Sequence, residues 1–325
     1  MITAAVTGGS GFIGSHLVQA LRKSGVEVRA LVRPTSRTAV LESAGAELVF
    51  GDLSDASSVG VAVAGAEIVY HCGAIVSDWA PPGAFEAVNA VGTQNVVAAS
   101  AAAGARLVHV SSTDVYGFPD VGGLDESTLR TRRGWGYVDA KIAGEEAVEG
   151  AIAQGLDAVI VRPASVYGPR CPYFVEGCVD LMNQGQLSFI GNGTATGGFI
   201  YVADLVRLLI AAGNQAPAGE IYNGTGGRRE TWREYFDGLA RVTGAVPIST
   251  NLDKEVAYAL ASRLEAQALE DLNSEPPALT RHAWAMYATD QHCSVKKAGD
   301  QLGWQPTTSL DEGLDLVGKW WADRA

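Results

Sequence analysis

The segment TGGSGFIG at residues 7–14 constrains the fold of this chain more than any other feature. It follows an apolar run that predicts a strand, and it opens a helical stretch that extends to about Lys23. Its glycines at 9, 11 and 14 match GxGxxG. Glycine at these positions allows the backbone to adopt positive φ, to approach a pyrophosphate closely and to pack the following helix tightly on the sheet. In this strand–turn–helix context the motif predicts a dinucleotide site, with a plain glycine-rich turn as the alternative. Five residues of the turn are assigned to the cofactor: Gly8, Gly11, Phe12, Ile13 and Gly14.

Short apolar runs alternate with helical stretches over the first 165 residues. The runs are apolar almost throughout, as expected of strands that are buried on both faces of a sheet. Because the connections are short, this βαβ rhythm predicts an α/β fold with a doubly wound parallel sheet and right-handed crossovers. The predicted strands lie at residues 2–7, 26–32, 47–50, 67–72, 106–111 and 158–162, and the predicted helices at 11–23, 83–103 and 134–154.

The rhythm degrades after Arg162-Pro163, where the chain becomes rich in Gly, Pro and Tyr. A helix is expected at residues 202–212 and a strand at 220–223, and residues 231–325 have a mostly helical pattern with proline-marked breaks. We therefore expect two regions. They are a dinucleotide-binding Rossmann domain at 1–165, to which 200–223 return, and a smaller, mostly helical substrate-binding lobe at 166–199 and 224–325.

Composition excludes several classes of partner. The formal net charge of −12 argues against nucleic acid and against an anionic membrane surface, because both require a basic face. No apolar run is long enough to span a bilayer, and the N-terminus lacks the basic region of a secretory signal. The four cysteines form no CxxC pair and the five histidines are scattered, so we expect no metal, reduced thiols and a cytoplasmic location. The expected partner is a small-molecule substrate.

Tyr137 and Lys141 lie four residues apart and share one face of the predicted helix 134–154. That helix follows the strand ending at Ser111, at the carboxyl edge of the sheet, where open α/β folds bind ligands. Lowering a tyrosine pKa from ~10 to the ~7 of a useful acid–base group requires ~4 kcal/mol. A lysine ammonium ~4 Å away supplies ~4 kcal/mol at an effective dielectric of ~20, but only ~1 kcal/mol in bulk water. The pair therefore predicts proton transfer in a site that is mostly closed to water.

Three predicted site groups have alternative interpretations. Ser112 is expected to hydrogen bond to the substrate oxygen, and a strand-end cap is the alternative. Lys141 could also hold the nicotinamide ribose. Asp52, with Leu53, is a plausible contact for the adenine, and a helix N-cap is the alternative.

The end of the second predicted strand bears on the choice of dinucleotide. NAD-binding sheets usually carry an acidic residue there for the ribose 2′-hydroxyl, whereas this strand ends at Arg33, with Arg37 close behind. Arginine suits a 2′-phosphate, so NADP(H) is favoured over NAD(H). The alternative is a solvated surface arginine.

The chain resembles the extended short-chain dehydrogenase/reductases over most of residues 1–205. The resemblance implies a catalytic triad of Ser112, Tyr137 and Lys141, in which Ser111 or Thr113 could replace Ser112. It also implies a homodimer formed through the helices near 83–103 and 134–154. The matching pieces are TGGSGFIG (7–14), GDL (51–53), HCGA (71–74), VNAVGT (88–93), SSTDVYG (111–117), YVDAK (137–141), RPASVYGP (162–169) and FIYVADL (199–205).

By the same resemblance, further residues lie at the cofactor. Asn89 would support the ribose or the substrate, and a segment after the sixth strand would line the nicotinamide. These cofactor residues are Cys72, Gly73, Ala74, Asn89, Ser111, Pro163, Ala164, Ser165 and Val166.

Departures from the sugar-nucleotide enzymes of the family narrow the substrate. Gly197-Gly198 stand where epimerases usually carry Arg-Asp, which removes a clamp for phosphates, and Thr113 stands where dehydratases carry an acid. The run LVRPTS at 31–36, Trp79 and the C-terminal segments around Thr231, 276–281 and 297–306 are similar to bacterial 3β-hydroxysteroid dehydrogenase-like and dihydroflavonol-reductase-like proteins. Core packing is the alternative for each aromatic wall residue. The residues expected at the substrate are Ser112, Thr113, Trp79, Tyr173 and Phe174, with Trp135, Tyr167 and Trp284 as further apolar walls.

We therefore predict an oxidoreductase that interconverts a secondary alcohol and a ketone on a largely apolar substrate. Hydride would pass through the nicotinamide and the proton through Tyr137. One alternative is a sugar or nucleotide-sugar epimerase that retains NAD, which shares every catalytic residue. The other is a non-catalytic dinucleotide-sensing protein, which the Tyr137/Lys141 pair disfavours.

Overall fold

The computed structural model describes residues 2–270 and 275–324. The residues outside the described ranges are Met1, 271–274 and Ala325. The expected region limits at 1 and 325 and a short part of the predicted helical region 231–325 therefore lie outside the described residues. The strands are β1 (Thr3–Thr7), β2 (Glu27–Val32), β3 (Glu47–Phe50), β4 (Ile68–His71), β5 (Arg106–Val110), β6 (Ala158–Pro163), β7 (Val166–Tyr167), β8 (Phe189–Ile190), β9 (Ile200–Tyr201), β10 (Ile221–Gly224) and β11 (Asn251–Leu252).

A seven-stranded parallel sheet in the order β10-β6-β5-β4-β1-β2-β3 forms the centre of the molecule. The sheet reverses its direction of winding between β1 and β4, and the carboxyl ends of these strands leave a crevice there. Val6 on β1 is in register with Ala30 on β2 and Tyr70 on β4. The predicted doubly wound parallel fold is confirmed.

Helices cover both faces of this sheet. Val159 and Val161 of β6 contribute to the core on one side, whereas Ala158 and Ile160 contribute to the core on the other, which explains why the strand has no polar alternation. The helices are α1 (Phe12–Lys23), α2 (Ala39–Ser43), α3 (Ala56–Val63), α4 (Gly92–Ala103), α5 (Gly136–Ile152), α6 (Cys178–Asn183), α7 (Val202–Gln215), α8 (Trp232–Thr243), α9 (Lys254–Glu270), α10 (Arg281–Ala288), α11 (Lys296–Leu302) and α12 (Leu310–Ala322). No helix among residues 2–270 and 275–324 is long and apolar enough to cross a membrane.

The predicted helix 83–103 is divided in the structure. Residues Glu86–Val91 form a π-helical turn, and α4 continues from Gly92. A second π-helical turn, Pro172–Gly177, precedes α6. A π-turn accommodates one more residue than an α-turn, and a 3.6-residue pattern does not reveal it.

A second core lies in what we call the C-terminal lobe, the mostly helical part that follows β6 apart from α7 and β10. Its centre is aromatic: the rings of Phe199 and Tyr235 stack with centroids 4.4 Å apart, and Trp232 packs edge-on against Phe199. Helix α12 packs along α8 on this core through Leu314 and Val317. By contrast, α7 packs on α1 and β10 pairs with β6, so these two elements belong to the sheet layer.

Candidate active site

The glycine turn is closed by contacts that leave no room for side chains. A Cβ on Gly14 would lie 2.2 Å from the Gly8 carbonyl oxygen, and a Cβ on Gly8 would lie 2.6 Å from Gly73 Cα. Of the four glycines, Gly8 takes the positive φ, +66°, although it stands outside the GxGxxG spacing. Helix α1 begins directly after Gly11 with no side-chain cap, so its first N–H groups remain available to an anion. These features fit the pyrophosphate of a dinucleotide.

The glycine turn opens into a cavity of about 520 Å³ that also reaches Tyr137, and we call it the cofactor cavity. It brings together most of the predicted site, from residues 8–14 to β5, α5 and the π-turn at 172–177. The predicted residues that line it are Gly8, Gly11, Phe12, Ile13, Gly14, Arg33, Asp52, Leu53, Cys72, Gly73, Ala74, Ser111, Ser112, Tyr137, Lys141, Pro163, Ala164, Val166, Tyr173 and Phe174.

Asn89 lies behind the cofactor cavity rather than in its wall. Its amide Nδ2 donates to the Ile75 carbonyl at 2.9 Å, and its Oδ1 accepts from the Ile75 N–H at 2.8 Å. The π-turn places this amide on the loop after β4. Asn89 therefore fixes the wall that Ile75 and Val76 present to the cavity.

Six other predicted residues do not line the cofactor cavity. Tyr167 is buried in the aromatic core of the C-terminal lobe, and Trp284 packs edge-on against Tyr258 of α9, so core packing is the role of both. Ser165 and Thr113 are buried beside the cofactor cavity. Trp79 lines a second cavity, also of about 520 Å³, together with Trp135 and His282.

Tyr137 and Lys141 are both buried, with 8% and 5% of their surfaces exposed, as a site closed to water requires. Lys141 Nζ donates to the Val110 carbonyl at 2.9 Å and lies 6.0 Å from the centre of the Tyr137 ring. Burial lowers the pKa of Lys141 to about 8, and burial, with the Asp114 carboxylate second, raises the pKa of Tyr137. The expected lowering of the Tyr137 pKa by Lys141 is therefore wrong for this structure, because burial has the larger effect. The phenol keeps its proton, which suits a proton donor.

Ser112 has the strand-end capping role that was the alternative for it. Its Oγ accepts from the Asp114 N–H at 3.1 Å and so caps the short 3₁₀ helix Thr113–Tyr116 at the end of β5. The hydroxyl proton remains available, because the cap uses the oxygen only as an acceptor. Its hydrogen bonding to Tyr137 opposes the rise of the phenol pKa.

Arg33 and Asp52 border the cofactor cavity where β2 and β3 end. Arg33 is exposed, and its side chain is free to reach a ligand there. Hydrogen bonds from the Ser54 N–H and hydroxyl hold the pKa of Asp52 below its usual range. The N-cap of α3 is Asp55, so the N-cap interpretation of Asp52 is wrong.

Two residues that sequence reasoning did not assign to the site contact its centre. His282 Nε2 hydrogen bonds to Asp114 Oδ2 at 3.0 Å. Its ring lies between Tyr137 and Trp135, with centroids 5.7 and 5.6 Å away and interplanar angles of 17° and 21°. We call Trp135, His282 and Tyr137 the aromatic stack. No motif marks it, because His282 stands 145 positions after Tyr137 in the chain.

Comparisons with known proteins agree with this geometry. The sequence profile of the NAD dependent epimerase/dehydratase family matches residues 4–223. A 4-hydroxy-2-methyl-3-oxo-4-farnesyl-3,4-dihydroquinoline-1-oxide ketoreductase from Stigmatella aurantiaca is 29% identical over 96% of this chain and 94% of its own length. A 2-alkyl-3-oxoalkanoate reductase from Stenotrophomonas maltophilia is 31% identical over 95% of this chain and 96% of its own length. The solved structure of MoeE5 with UDP-glucose and NAD superposes with a TM-score of 0.76 at 25% identity, covering 100% of this chain and 99% of that one.

Proposed function

The chain belongs to the NAD dependent epimerase/dehydratase family and is a nicotinamide-dependent oxidoreductase of the extended short-chain dehydrogenase/reductase type, and on this premise we propose that it reduces the ketone of a bulky, largely apolar substrate. The observation that carries the proposal is the convergence of Ser112, Tyr137 and Lys141 on the cofactor cavity, with the phenol in its protonated form. Both reported relatives are named as reductases of ketones with apolar substituents.

Tyr137, Ser112 and Lys141 have different roles in the proposed reaction. A bound reduced nicotinamide supplies the hydride. The Tyr137 phenol donates a proton to the carbonyl oxygen of the substrate, and the Ser112 hydroxyl donates a hydrogen bond to the same oxygen and orients it. The Lys141 ammonium stabilises the phenolate that remains, in a site where burial strengthens the attraction. Tyr173 and Phe174 contribute apolar surface to the wall of the cofactor cavity.

A ketone is favoured over a nucleotide sugar by the segment before β9. Gly198 has φ +61°, and a Cβ there would lie 2.7 Å from the Gln291 carbonyl oxygen. A Cβ on Gly197 would lie 2.4 Å from the Phe199 ring. The arginine that would bind sugar-nucleotide phosphates is absent, and the backbone leaves it no space.

We assign NADP(H) as the preferred cofactor, with Arg33 binding the 2′-phosphate. Support comes from the exposed position of Arg33 at the carboxyl end of β2 and from the absence of an acidic side chain at that point. We also propose a homodimer through α4 and α5, and a reducing, cytoplasmic location because the four cysteines are unpaired.

The test is a panel assay with NADPH and with NADH. The probes are ethyl 2-methyl-3-oxobutanoate as a small 2-alkyl-3-oxo ester, a 3-oxosteroid, a flavanone and UDP-glucose. We expect net NADPH oxidation with at least one ketone and none with the sugar nucleotide. Epimerisation of UDP-glucose by protein that retains NAD through purification, without turnover of any ketone, would establish the epimerase alternative. Cofactor binding without any turnover would establish the sensor alternative.

A further inference from the structure

We propose that His282 is a positioning residue for Tyr137, which it holds by stacking on the phenol ring while its hydrogen bond holds the Asp114 carboxylate beside that ring. This inference rests on the proposed function, because it takes Tyr137 as the proton donor. His282 does not touch the reacting atoms, and it acts through its two neighbours, Tyr137 and Asp114.

Packing restricts the Tyr137 ring from two directions. The imidazole of His282 covers one face at 17° from parallel, and the ring of Phe85 meets the phenol edge-on with centroids 6.2 Å apart. His282 is itself backed by Trp135 and by the edge of Phe118 at 5.6 Å. A phenol held in this way presents its oxygen in one direction, and small errors in that direction reduce the rate of proton transfer strongly.

Charge gives His282 its second role. Asp114 follows β5 closely, its N–H holds the Ser112 hydroxyl oxygen, and its carboxylate opposes ionisation of Tyr137. The His282 Nε2 hydrogen bond attracts the negative charge of that carboxylate and limits its effect on the phenol. His282 Nδ1 is buried and has no hydrogen-bond partner among residues 2–270 and 275–324, so the contact to Asp114 is the one polar contact of this ring there.

His282 lies on helix α10 of the C-terminal lobe, and side-chain contacts fix the start of this helix. Helix α10 starts at Arg281, and the Thr280 hydroxyl caps it by accepting from the Ala283 N–H. The same hydroxyl donates to Asp78 Oδ2 at 2.7 Å, and Arg281 pairs with Glu265 of α9. These contacts therefore fix the position of His282 relative to Tyr137 on helix α5.

Several charged groups surround the aromatic stack. Asp114 comes from the 3₁₀ helix after β5, and Tyr137 comes from α5, where the Lys141 ammonium lies 6.0 Å from the centre of its ring. Tyr173 faces the phenol from the π-turn at 172–177. The others line the second cavity beside His282. These are Asp78, Glu86, Arg132, Asp139, Glu265 and Arg281. Of this set, Asp114 makes the hydrogen bond to the imidazole, so it is the group that the experiment removes.

Two variants separate the roles of the ring and of the hydrogen bond. His282→Phe retains a ring for stacking and removes the donor to Asp114, whereas His282→Gln retains a donor and removes the ring. We would measure pH profiles of NADP⁺-linked oxidation of ethyl 3-hydroxy-2-methylbutanoate, a reaction whose rate rises as Tyr137 loses its proton. Thermal unfolding and the Kd for NADP⁺ would verify that each variant folds.

We expect His282→Phe to move the midpoint of the profile upwards by about half a pH unit or more, and to lower the plateau kcat less than His282→Gln does. His282→Gln should keep the midpoint and lower the plateau kcat by about tenfold. Asp114→Asn should move the midpoint downwards, and the double variant with His282→Phe should match Asp114→Asn alone, because His282 then has no carboxylate to act on.

A readout without substrate makes failure of this inference distinguishable from failure of the proposed function. The ¹³Cζ resonance of Tyr137, assigned with Tyr137→Phe, would be followed upwards from pH 7 in the protein saturated with NADP⁺, because the positive charge of the oxidised nicotinamide opposes the rise that burial causes in the pKa of the phenol. We expect Asp114→Asn to ionise at lower pH than the wild type and His282→Phe at higher pH. Ionisation of Tyr137 at the same pH in all variants would overturn the inference, whether or not any ketone is turned over.

Discussion

The glycine turn at residues 8–14 and the aromatic stack both shape the candidate active site, but they do so by different means. At the glycine turn the backbone itself forms the surface, and a single Cβ on Gly14 would collide with the Gly8 carbonyl. At the aromatic stack, side chains from segments more than 100 residues apart in the chain form the surface, with Asp114 and His282 as the polar pair. A surface made of backbone demands glycine at fixed spacing, whereas a surface made of side chains from distant segments imposes no local pattern. The turn should therefore control affinity for the cofactor, and the stack should control chemistry.

The largest effect is expected at Tyr137, where the cofactor cavity and the aromatic stack meet. Tyr137→Phe removes the proton donor and keeps the ring, so turnover should fall by about 10³-fold while the Kd for NADPH changes by less than about threefold. Steady-state kinetics and fluorescence titration with NADPH would measure the two effects. Turnover near the wild-type value would refute the assigned role.

Lys141 should show opposite effects on activity and stability. Lys141→Met should lower kcat by about 10²-fold or more. Because the pKa of Lys141 is about 8 in the folded protein and 10.5 in its ordinary state, the unfolded chain binds more protons between these values, so wild-type stability rises with pH there. The stability of the variant relative to the wild type should therefore be greatest at pH 7, and the difference should change by up to about 3 kcal/mol towards pH 10. Urea unfolding at both pH values measures this change, and parallel stability curves would contradict it.

Gly14→Ala tests the turn alone. The added methyl group would lie 2.2 Å from the Gly8 carbonyl oxygen, so the turn must shift and the Kd for NADPH should rise by about 100-fold. Gly150→Ala is the matched control, because Gly150 lies on helix α5 and a Cβ there would meet no atom within 4 Å. The control should bind NADPH normally and gain up to about 1 kcal/mol of stability. Equal affinities in both variants would mean that the turn does not hold the cofactor.

Arg33→Asp tests which dinucleotide the turn serves. We expect the Kd for NADPH to rise by about tenfold to 100-fold, and the Kd for NADH to change little, because one ion pair to a phosphate is lost. Arg37→Asp is the control on the same exposed loop, outside the wall of the cofactor cavity. If the two variants keep the same ratio of NADPH to NADH affinity as the wild type, Arg33 is a surface residue.

Phe174→Ala tests the apolar part of the cofactor-cavity wall and should have the smallest effect on the kinetic and binding constants. Its ring lines the cofactor cavity and lies 5.8 Å from Trp232, so its loss should raise KM for an apolar ketone by about tenfold and leave the Kd for NADPH unchanged. A change in cofactor affinity instead would place this ring at the nicotinamide.

The sequence was sufficient for the parts of the molecule that depend on local pattern. Continuous apolar runs predicted the parallel sheet, and the spacing of Tyr137 and Lys141 predicted that both would face one cavity. The sequence did not reveal that Gly8 would take the positive φ, because several glycines compete for it locally. It also gave no sign of the π-turn at 86–91, or of His282, whose contact with Asp114 depends on how α10 packs in the lobe.

The π-turn at 86–91 has a consequence for variation in this chain. It adds one residue to the turn that carries Asn89, and both hydrogen bonds between that amide and the Ile75 backbone depend on the added residue. A deletion of one residue there would convert the segment into an ordinary α-helix and rotate Asn89 by about 100° away from the loop. Substitution of a residue in this segment should therefore disturb the position of Asn89 less than deletion of a residue. The length of the segment is more constrained than its amino-acid composition.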